Sequence, residues 1–256
     1  MSKLLDIDEI YLFQKLIEIL PKKGIFIEIG ANDGNNNSHC SFLKKNNWEG
    51  YCIEANPEIA EVLYNNNKNY KNIHCFNYAI TDQDNKDILF YIESSSMSGV
   101  SSLYKSRANS TDADNSSSLN RIIKKNVKVV GKKLNTFVKE LNITECDLLL
   151  TDCEGEDINI LLSTDFSIFK PKYIMSETTF LFYYKNIIQK DKNRRQITQE
   201  VYDLLLTHME KFNYKLILSN DMINYKKKYF PYLLGFPMNC VWELQLGDHT
   251  EDNKEP

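Results

Sequence analysis

Four acidic residues stand where short apolar runs end, and their types and positions indicate what chemistry the chain can do. They are Glu28, Glu54, Asp152 and Glu177. Ligands of open α/β sheets bind outside the carboxyl ends of the parallel strands, so acids at those ends converge on one crevice. There a carboxylate can bind a cationic amino group or ribose hydroxyls, or take a proton from a substrate as a general base. Each acid taken singly could instead cap the helix that follows its strand.

The elements that must position these acids alternate along the chain. Short apolar runs with strand character are followed by segments with helical spacing, which indicates parallel βαβ units with right-handed crossovers. Strands are predicted at 25–29, 51–54, 73–80, 86–92, 121–130, 146–152, 173–177, 214–219 and 239–246, and helices at 7–20, 38–46, 57–66, 134–141, 156–162 and 197–212.

The turn after the first strand reads E-I-G-A-N-D-G over residues 28–34. A dinucleotide-binding turn needs G-x-G-x-x-G, and Asn32 and Asn35 occupy the second and third glycine positions. A nicotinamide oxidoreductase is therefore disfavoured. The two glycines that are present still allow the backbone to come close to a ligand. Glu28 suits a cationic amino group, and Glu54 follows at the distance where an acid can accept from ribose hydroxyls.

This turn belongs to the first of six segments that occur in a fixed order. They are FIEIGANDGNNNSH, GYCIEANPE, NYAITD, SGVSSL, LNTF and LLLTDCEGEDINIL. Over residues 24–178 the chain resembles the FkbM family of class I S-adenosylmethionine methyltransferases, which are mostly O-methyltransferases of sugars and other natural products. Cys153 stands where an aliphatic residue is commoner, and the serine-rich stretch after Leu103 is long, which leaves the acceptor open.

The resemblance implies a fold and a role for each matching residue. The fold is a Rossmann-like α/β sheet of seven mostly parallel strands, with an antiparallel last strand and helices on both faces. The cofactor is S-adenosylmethionine. Its expected contacts are Glu28, Gly30, Asn32, Gly34, Ser38 and His39 for the amino-acid end, Glu54 for the ribose, Asn77 and Ala79 for the adenine, Ser101 and Ser102 for closure over the donor or positioning of the acceptor, and Asp152 beneath the methyl group.

Three carboxylates at adjacent strand ends form the catalytic hypothesis: Asp152, Glu154 and Glu177. A sugar hydroxyl is a poor nucleophile at neutral pH and needs a general base or a metal ion. Two mechanisms fit the residues. Either one carboxylate acts as the base, or Asp152 and Glu177 bind Mg²⁺, which prefers oxygen ligands.

The chain divides into a large domain with flanking segments. Aromatic residues next to basic ones, at 180–185 with 194–195 and again at 225–230, suit stacking on a sugar and pairing with a phosphate, or a packed cluster with a solvated rim. The expected division is an N-terminal amphipathic helix at 1–23, a methyltransferase domain at 24–247 with inserted acceptor-binding segments at about 94–120, 180–196 and 221–238, and a charged tail at 248–256.

Composition excludes several classes of protein. The 256 residues carry a formal net charge of −4, whereas proteins that coat nucleic acids are normally basic. The proline-containing motif typical of base amino-methylation does not follow the strand at 146–152. No apolar run reaches the roughly 18 residues that span a bilayer. The six cysteines form no C-x-x-C pair, which indicates free thiols in a reducing compartment and a cytoplasmic location.

The function that these observations favour is O-methylation of a sugar hydroxyl, on a nucleotide-activated sugar or a surface-polysaccharide precursor. Two alternatives stay open: O-methylation of a non-sugar small metabolite, and a non-catalytic subunit that binds the donor. The expected partners are small molecules, with no nucleic acid and no membrane span. The amphipathic helix at 7–20 can make a homodimer contact or pack against the chain's own core.

Overall fold

The computed structural model describes residues 7–36, 38–93, 101–103, 123–178, 194–220 and 239–246. The acceptor-binding segment expected at 221–238 and the charged tail at 248–256 lie outside this range. So do most of the segments expected at 94–120 and 180–196.

The described residues form helices and strands close to those that the sequence predicts. The helices are α1 (Ile7–Ile19), α2 (Cys40–Leu43, continued by a 3₁₀ turn at Lys44–Asn46), α3 (Pro57–Asn67), α4 (Leu134–Glu140), α5 (Asp157–Ser163) and α6 (Arg194–Lys211). The strands are β1 (Ile25–Ile29), β2 (Glu49–Ile53), β3 (Ile73–Phe76), β4 (Ala79–Ile80), β5 (Asn85–Glu93), β6 (Ile123–Lys132), β7 (Leu148–Thr151), β8 (Tyr173–Glu177), β9 (Tyr214–Asn220) and β10 (Asn239–Leu244).

The main sheet has seven strands in the order β3-β2-β1-β7-β8-β10-β9. The pairs from β3 to β8 are parallel, and β10 runs antiparallel to both β8 and β9. The predicted seven-stranded, mostly parallel sheet with an antiparallel last strand is confirmed. Because the order reverses direction between β1 and β7, the crevice for a ligand is expected outside the carboxyl ends of these two strands.

One predicted strand is wrong: residues 73–80 form two strands that belong to different sheets. After β3 the chain turns away from β2, where the side-chain amide of Asn77 donates hydrogen bonds to the carbonyls of Glu54 (2.8 Å) and Ala55 (3.0 Å). The next two residues, β4, pair with β6 instead. With β5 they form a three-stranded sheet that has a small apolar core of its own, Ala79, Phe90, Ile92 and Val129.

Helices cover both faces of the main sheet, because side chains alternate between the faces along each strand. On one face Phe26, Cys52, Leu150 and Met175 pack with α1, α2 and α3. On the other face the neighbouring strand residues pack with α4, α5 and α6; they include Ile27, Ile53, Leu149 and Ile174. The first face also carries the polar residues that lie beyond the strand ends.

The N-terminal helix packs within the domain. Leu12, Phe13 and Leu16 of α1 are buried in the first of these two cores. The ring centroid of Phe13 lies 4.3 Å from that of His39. The apolar face of α1 is therefore used inside the chain and supplies no argument for a dimer contact. Among the described helices none is long and apolar enough to cross a membrane.

All six cysteines are free, as the sequence predicts. Burial raises the pKa of the part-buried Cys75 thiol to about 11 and holds that of Cys146 higher still. Thiols with raised pKa are poor nucleophiles because little thiolate forms.

Candidate donor and acceptor site

A row of polar residues crosses the carboxyl end of the main sheet. The strand register, continued by one residue, places Gly30 level with Glu54 on one side and with Asp152 on the other, and it places Glu177 next to Asp152. Adjacent strands are about 4.8 Å apart, so three of the predicted acids lie close together in one row. We call this set the strand-end row; it consists of Glu54, Gly30, Asp152, Glu177, Asn239 and Asn220.

The fourth predicted acid, Glu28, lies deeper in the sheet and is only 3% exposed. Its carboxylate accepts hydrogen bonds from the backbone N–H groups of His39 (2.7 Å) and Cys40 (3.0 Å) and from the hydroxyl of Ser38 (2.9 Å). Ser38 and His39, expected to contact the amino-acid end of the donor, thus donate to Glu28 through the Ser38 hydroxyl and the His39 backbone N–H. In this structure Glu28 joins the start of α2 to β1 and forms part of the floor of the crevice.

Backbone conformation and close contacts explain the two glycines of the glycine-rich turn. Gly30 has φ +85°, and a Cβ there would lie 2.0 Å from the carbonyl oxygen of Asp152. Gly34 has φ +72°, and its Cβ would lie 2.4 Å from the side-chain nitrogen of Asn67. Between them Asn32 adopts a left-handed conformation with φ 49°. Because Gly30 has no side chain, the turn can lie close to the backbone of Asp152 within the strand-end row.

A buried lysine that the sequence analysis missed anchors this turn. Lys44 is 2% exposed, and its ammonium donates to the carbonyl of Gly34 (2.9 Å) and to the side chains of Asn35 (2.8 Å) and Asn67 (2.7 Å). The same Nζ lies 4.9 Å from the ring centroid of Tyr70. Nothing in the local pattern distinguishes Lys44 from its neighbour Lys45, because only the tertiary contacts of α2 decide which lysine is buried.

Glu54 fixes the turn from the other side. Its carboxylate accepts from the backbone N–H groups of Asn32 (3.0 Å) and Asn56 (2.8 Å). Burial raises the pKa of Glu54 to about 7, although these two amide bonds oppose the shift. A carboxylate that titrates near neutrality lies where the ribose hydroxyls of a donor are expected.

The residues expected near the adenine have different surroundings. Asn77 is exposed, and its side chain holds the carbonyls of Glu54 and Ala55. Ala79 is 3% exposed and packs into the core of the small sheet. Asn77 therefore lies next to the end of β2, whereas the Ala79 side chain is used for packing.

The loop after β7 presents Asp152 and Glu154. Asp152 is exposed and its backbone N–H donates to the Ile29 carbonyl (3.0 Å), while Glu154 has φ 53°. The buried Asp157 at the start of α5 accepts from the backbone N–H groups of Cys153 (3.0 Å) and Gly155 (3.4 Å). Burial raises the pKa of Asp157 to about 6. Asp157 thus shapes this loop, a role that the sequence analysis missed although the residue lies within the sixth segment of the family pattern.

The serine segment at 101–103 meets the same loop. Ser102 is 1% exposed, its backbone pairs with Tyr91 of β5 (2.9 and 3.1 Å), and its hydroxyl donates to the Glu154 carbonyl (3.1 Å). Ser101 beside it is part-buried. The structure therefore brings Ser102 to the loop that carries Asp152 and Glu154, with Ser101 next to it in the chain.

Glu177 ends β8, where it pairs with Asn239 of β10. Beneath it the hydroxyl of Thr151 donates to that of Ser176 (2.7 Å), which ties β7 to β8. A pocket of about 10 Å³, close to the space for one water, opens into the row. It is lined by Glu28, Ile29, His39, Leu150, Thr151, Asp152, Met175 and Asn239.

The proposed metal ligands do not form a compact site within the described residues. Neither Asp152 nor Glu177 belongs there to a group of three ligand atoms within 4.8 Å of one another. Such a group is formed by the buried Glu28, Cys40 and Cys52. The carboxylate of Glu28 is already held by its three hydrogen bonds, and the neighbouring Cys40 and burial hold the pKa of Cys52 well above its usual range.

Comparisons with solved structures found methyltransferases and a pre-rRNA processing protein. An O-methyltransferase from Bacillus cereus in complex with SAH has a TM-score of 0.46 at 8% identity, covering 94% of this chain and 82% of that one. A precorrin-6y C5,15-methyltransferase from Geobacter metallireducens has 0.44 at 9%, covering 96% and 92%. A fibrillarin pre-rRNA processing protein from Methanococcus jannaschii has 0.44 at 15%, covering 88% and 69%.

A comparison with curated proteins found no match. A family model does match: the methyltransferase FkbM domain, over residues 28–216. The matched region contains the glycine-rich turn, Glu54, the loop with Asp152, and Glu177, and it covers most of the chain. The chain therefore belongs to the FkbM family of S-adenosylmethionine-dependent methyltransferases.

Proposed function

We propose that the chain transfers a methyl group from S-adenosylmethionine to a hydroxyl of a sugar, on a nucleotide-activated sugar or a surface-polysaccharide precursor. The observation that carries this proposal is the strand-end row, in which Asp152 and Glu177 stand next to each other beside Gly30. The bound donor supplies an electrophilic methyl group on a sulfonium. What the protein must add is alignment of the acceptor oxygen and removal of its proton.

The residues divide this work by position. Glu54, at the β2 end of the row, accepts from ribose hydroxyls, and the turn at 30–34 carries the amino-acid end of the donor. Asp152 lies one strand further and Glu177 next to it, so the acceptor hydroxyl lies between the turn and these two carboxylates. One of them takes the hydroxyl proton as the methyl group transfers. Glu154, whose carbonyl holds Ser102, positions the loop and the serine segment.

A bound Mg²⁺ is the second way to lower the pKa of the acceptor hydroxyl. Asp152 and Glu177 offer two oxygen ligands of the kind that Mg²⁺ prefers, with acceptor oxygens and waters as the rest. The general-base route needs no third protein ligand, and for that reason we favour it.

The first experiment is mass spectrometry of a nucleotide-sugar panel incubated with methyl-deuterated donor, with and without EDTA. We expect one sugar to gain a labelled methyl group in both arms. Loss of labelling with EDTA would assign the metal route. If no sugar gains label although the sample binds S-adenosylhomocysteine, the proposal of a nucleotide-sugar acceptor is wrong. Failure to bind S-adenosylhomocysteine would favour a non-catalytic subunit.

Paired variants test the catalytic residues. Asp152→Asn and Glu177→Gln keep the size of each side chain and remove its charge. We expect the residue that acts as base to lower kcat by at least 100-fold, within the usual range for general-base catalysis. Glu140→Gln, at an exposed position on α4, is the matched control. Full turnover of the double variant in a folded protein would overturn the hypothesis.

A further inference from the structure

The strand-end row contains two uncharged residues, Asn239 and Asn220, in addition to its acids. Beyond Glu177 the register continues to Asn239 of β10, and from Asn239 to Asn220 of β9. Both asparagines lie two residues from apolar residues of the first core, Val241 and Leu218, and so face the same side of the sheet as the acids. The acidic part of the row is thus extended by an uncharged part that no step of the proposed reaction uses.

The orientation of the Asn220 amide follows from its partner. The backbone N–H of Asn239 is a donor, so the atom that meets it at 2.8 Å must be the carbonyl oxygen Oδ1 of Asn220. This leaves the Nδ2 amine on the opposite side. That nitrogen is buried and has no hydrogen-bond partner among the residues that the structure describes. A buried donor without an acceptor is unfavourable, and an oxygen atom of a bound ligand would satisfy it.

Asn239 belongs to the same cleft as the carboxylates, and Asn220 is its pairing partner on β9. Asn239 is 8% exposed and lines the small pocket together with Asp152. Carboxylates accept hydrogen bonds, whereas an amide nitrogen donates one. A ligand that contacts both parts of the row therefore offers a donor, such as a hydroxyl, to the carboxylates and an acceptor, such as a further oxygen, to Nδ2 of Asn220.

We propose that Asn220 and Asn239 form an acceptor subsite, in which Nδ2 of Asn220 donates a hydrogen bond to an oxygen of a polyhydroxylated acceptor. This inference rests on the proposed function. Glu177 and Asn220 are separated by two strand spacings, about 10 Å, which is longer than one pyranose ring. Asn220 therefore contacts the unit next to the sugar that is methylated, and Asn239 lies between the two. The substrate class is an acceptor of at least two sugar units, or a sugar joined to a nucleoside.

The test distinguishes the proposed hydrogen bond from Nδ2 of Asn220 to the acceptor from the hydrogen bond that Oδ1 of Asn220 accepts within the protein. Asn220→Asp keeps an oxygen to accept from the Asn239 N–H and replaces the amine with a second oxygen. Asn65→Asp makes the same change of charge on α3, where the asparagine is exposed. Protein labelled with ¹⁵N-asparagine and saturated with S-adenosylhomocysteine is titrated with UDP-glucose, UDP-galactose and GDP-mannose, and with the neutral disaccharides maltose and cellobiose. The side-chain amide signal of Asn220 is the one lost in Asn220→Asp.

We expect at least one probe to shift the Asn220 amide signal, and Asn220→Asp to weaken the binding of that probe at least tenfold. Asn65→Asp should bind it as the wild type does, and the Kd for S-adenosylhomocysteine should stay within twofold in both variants. An Asn220 signal that no probe moves would overturn the inference. Equal binding by the two variants would also overturn it, as would a loss confined to the negatively charged probes.

Methyl transfer in the wild type, read separately by mass spectrometry, tests the proposed function. Transfer with an unmoved Asn220 signal would retain that function and remove this subsite.

Discussion

Residues of one chemical type have different roles at the strand ends because their surroundings differ. Glu28 is buried beneath three hydrogen-bond donors, whereas Asp152 is exposed on a loop at the next level of the sheet. Glu54 lies between these extremes, held by two backbone amides and part-buried. A buried carboxylate that accepts three hydrogen bonds fixes the fold, whereas an exposed one is accessible to a substrate, as the proposed general base must be.

Glu54 should make donor binding depend on pH. Burial raises its pKa to about 7, so the ionised fraction grows as the pH rises from 6 to 8. In the proposed donor site an ionised carboxylate can accept from two ribose hydroxyls, whereas a protonated one has lost an acceptor site. We expect the affinity for S-adenosylhomocysteine to rise with pH across this range, by up to about tenfold. Isothermal titration calorimetry at several pH values measures it.

The matched control for this prediction is Glu54→Gln, which cannot ionise. It should bind S-adenosylhomocysteine more weakly than the wild type at pH 8 and show a flat pH dependence. If the variant follows the same pH curve as the wild type, another group controls the titration and the assignment of Glu54 is wrong.

Among the elements, the regular strands were the most predictable part. The strands at 25–29 and 173–177 match their predicted bounds, because buried central strands of a parallel sheet are short, continuous apolar runs. The break at Asn77 was not predictable, because the side-chain bonds that turn the chain go to residues 22 and 23 positions earlier. Local periodicity contains no record of such long-range polar contacts.

The residues of the site also fall into those that could be predicted from the sequence and those that could not. The acids and glycines could be chosen from the sequence because their order along the chain follows a family pattern. Lys44 and Asp157 were missed, since each acts on the backbone of a loop and not on a ligand. The Asn220–Asn239 pair was missed because its two members meet only through the antiparallel pairing of β9 and β10.

The turn at 30–34 should depend on α2 through Lys44. Lys44→Met keeps the length of the side chain and removes the ammonium, which leaves the Gly34 carbonyl and the Asn67 side-chain oxygen without their buried donor. We expect the free energy of unfolding to fall by about 2–4 kcal/mol and the affinity for S-adenosylhomocysteine to fall as the turn loosens. Urea unfolding and calorimetry measure the two effects.

Lys45→Met is the control, since Lys45 is exposed one position along the same helical segment. It should change stability by less than about 0.5 kcal/mol, as for an ordinary surface substitution. Equal effects of the two variants would mean that the ammonium of Lys44 does not hold the turn.

At the scale of the whole molecule, the two raised carboxyl groups link folding to pH. Burial raises the pKa of Glu54 from 4.5 to about 7 and that of Asp157 from 3.8 to about 6, so both hold a proton more tightly in the folded chain. Their contribution to stability is complete below their ordinary values and is lost as the pH rises through about 6 and about 7. The exposed Glu58 and Asp165 have lowered pKa values and act in the opposite direction, but only at more acidic pH.

We therefore expect the melting temperature of the ligand-free protein to fall between pH 5 and pH 8, while the affinity for the donor rises over the upper part of the same range. The two trends share a cause, because the ionised Glu54 that favours ribose binding is the form that burial disfavours in the empty site. Differential scanning calorimetry with and without saturating S-adenosylhomocysteine measures both.

The double variant Glu54→Gln, Asp157→Asn should flatten the pH curve of the ligand-free melting temperature. A wild-type stability that rises steadily from pH 5 to pH 8 would show that these carboxyls do not govern it. The stabilisation that the ligand adds should grow with pH in the wild type and stay constant in Glu54→Gln, which separates binding from folding at the same residue.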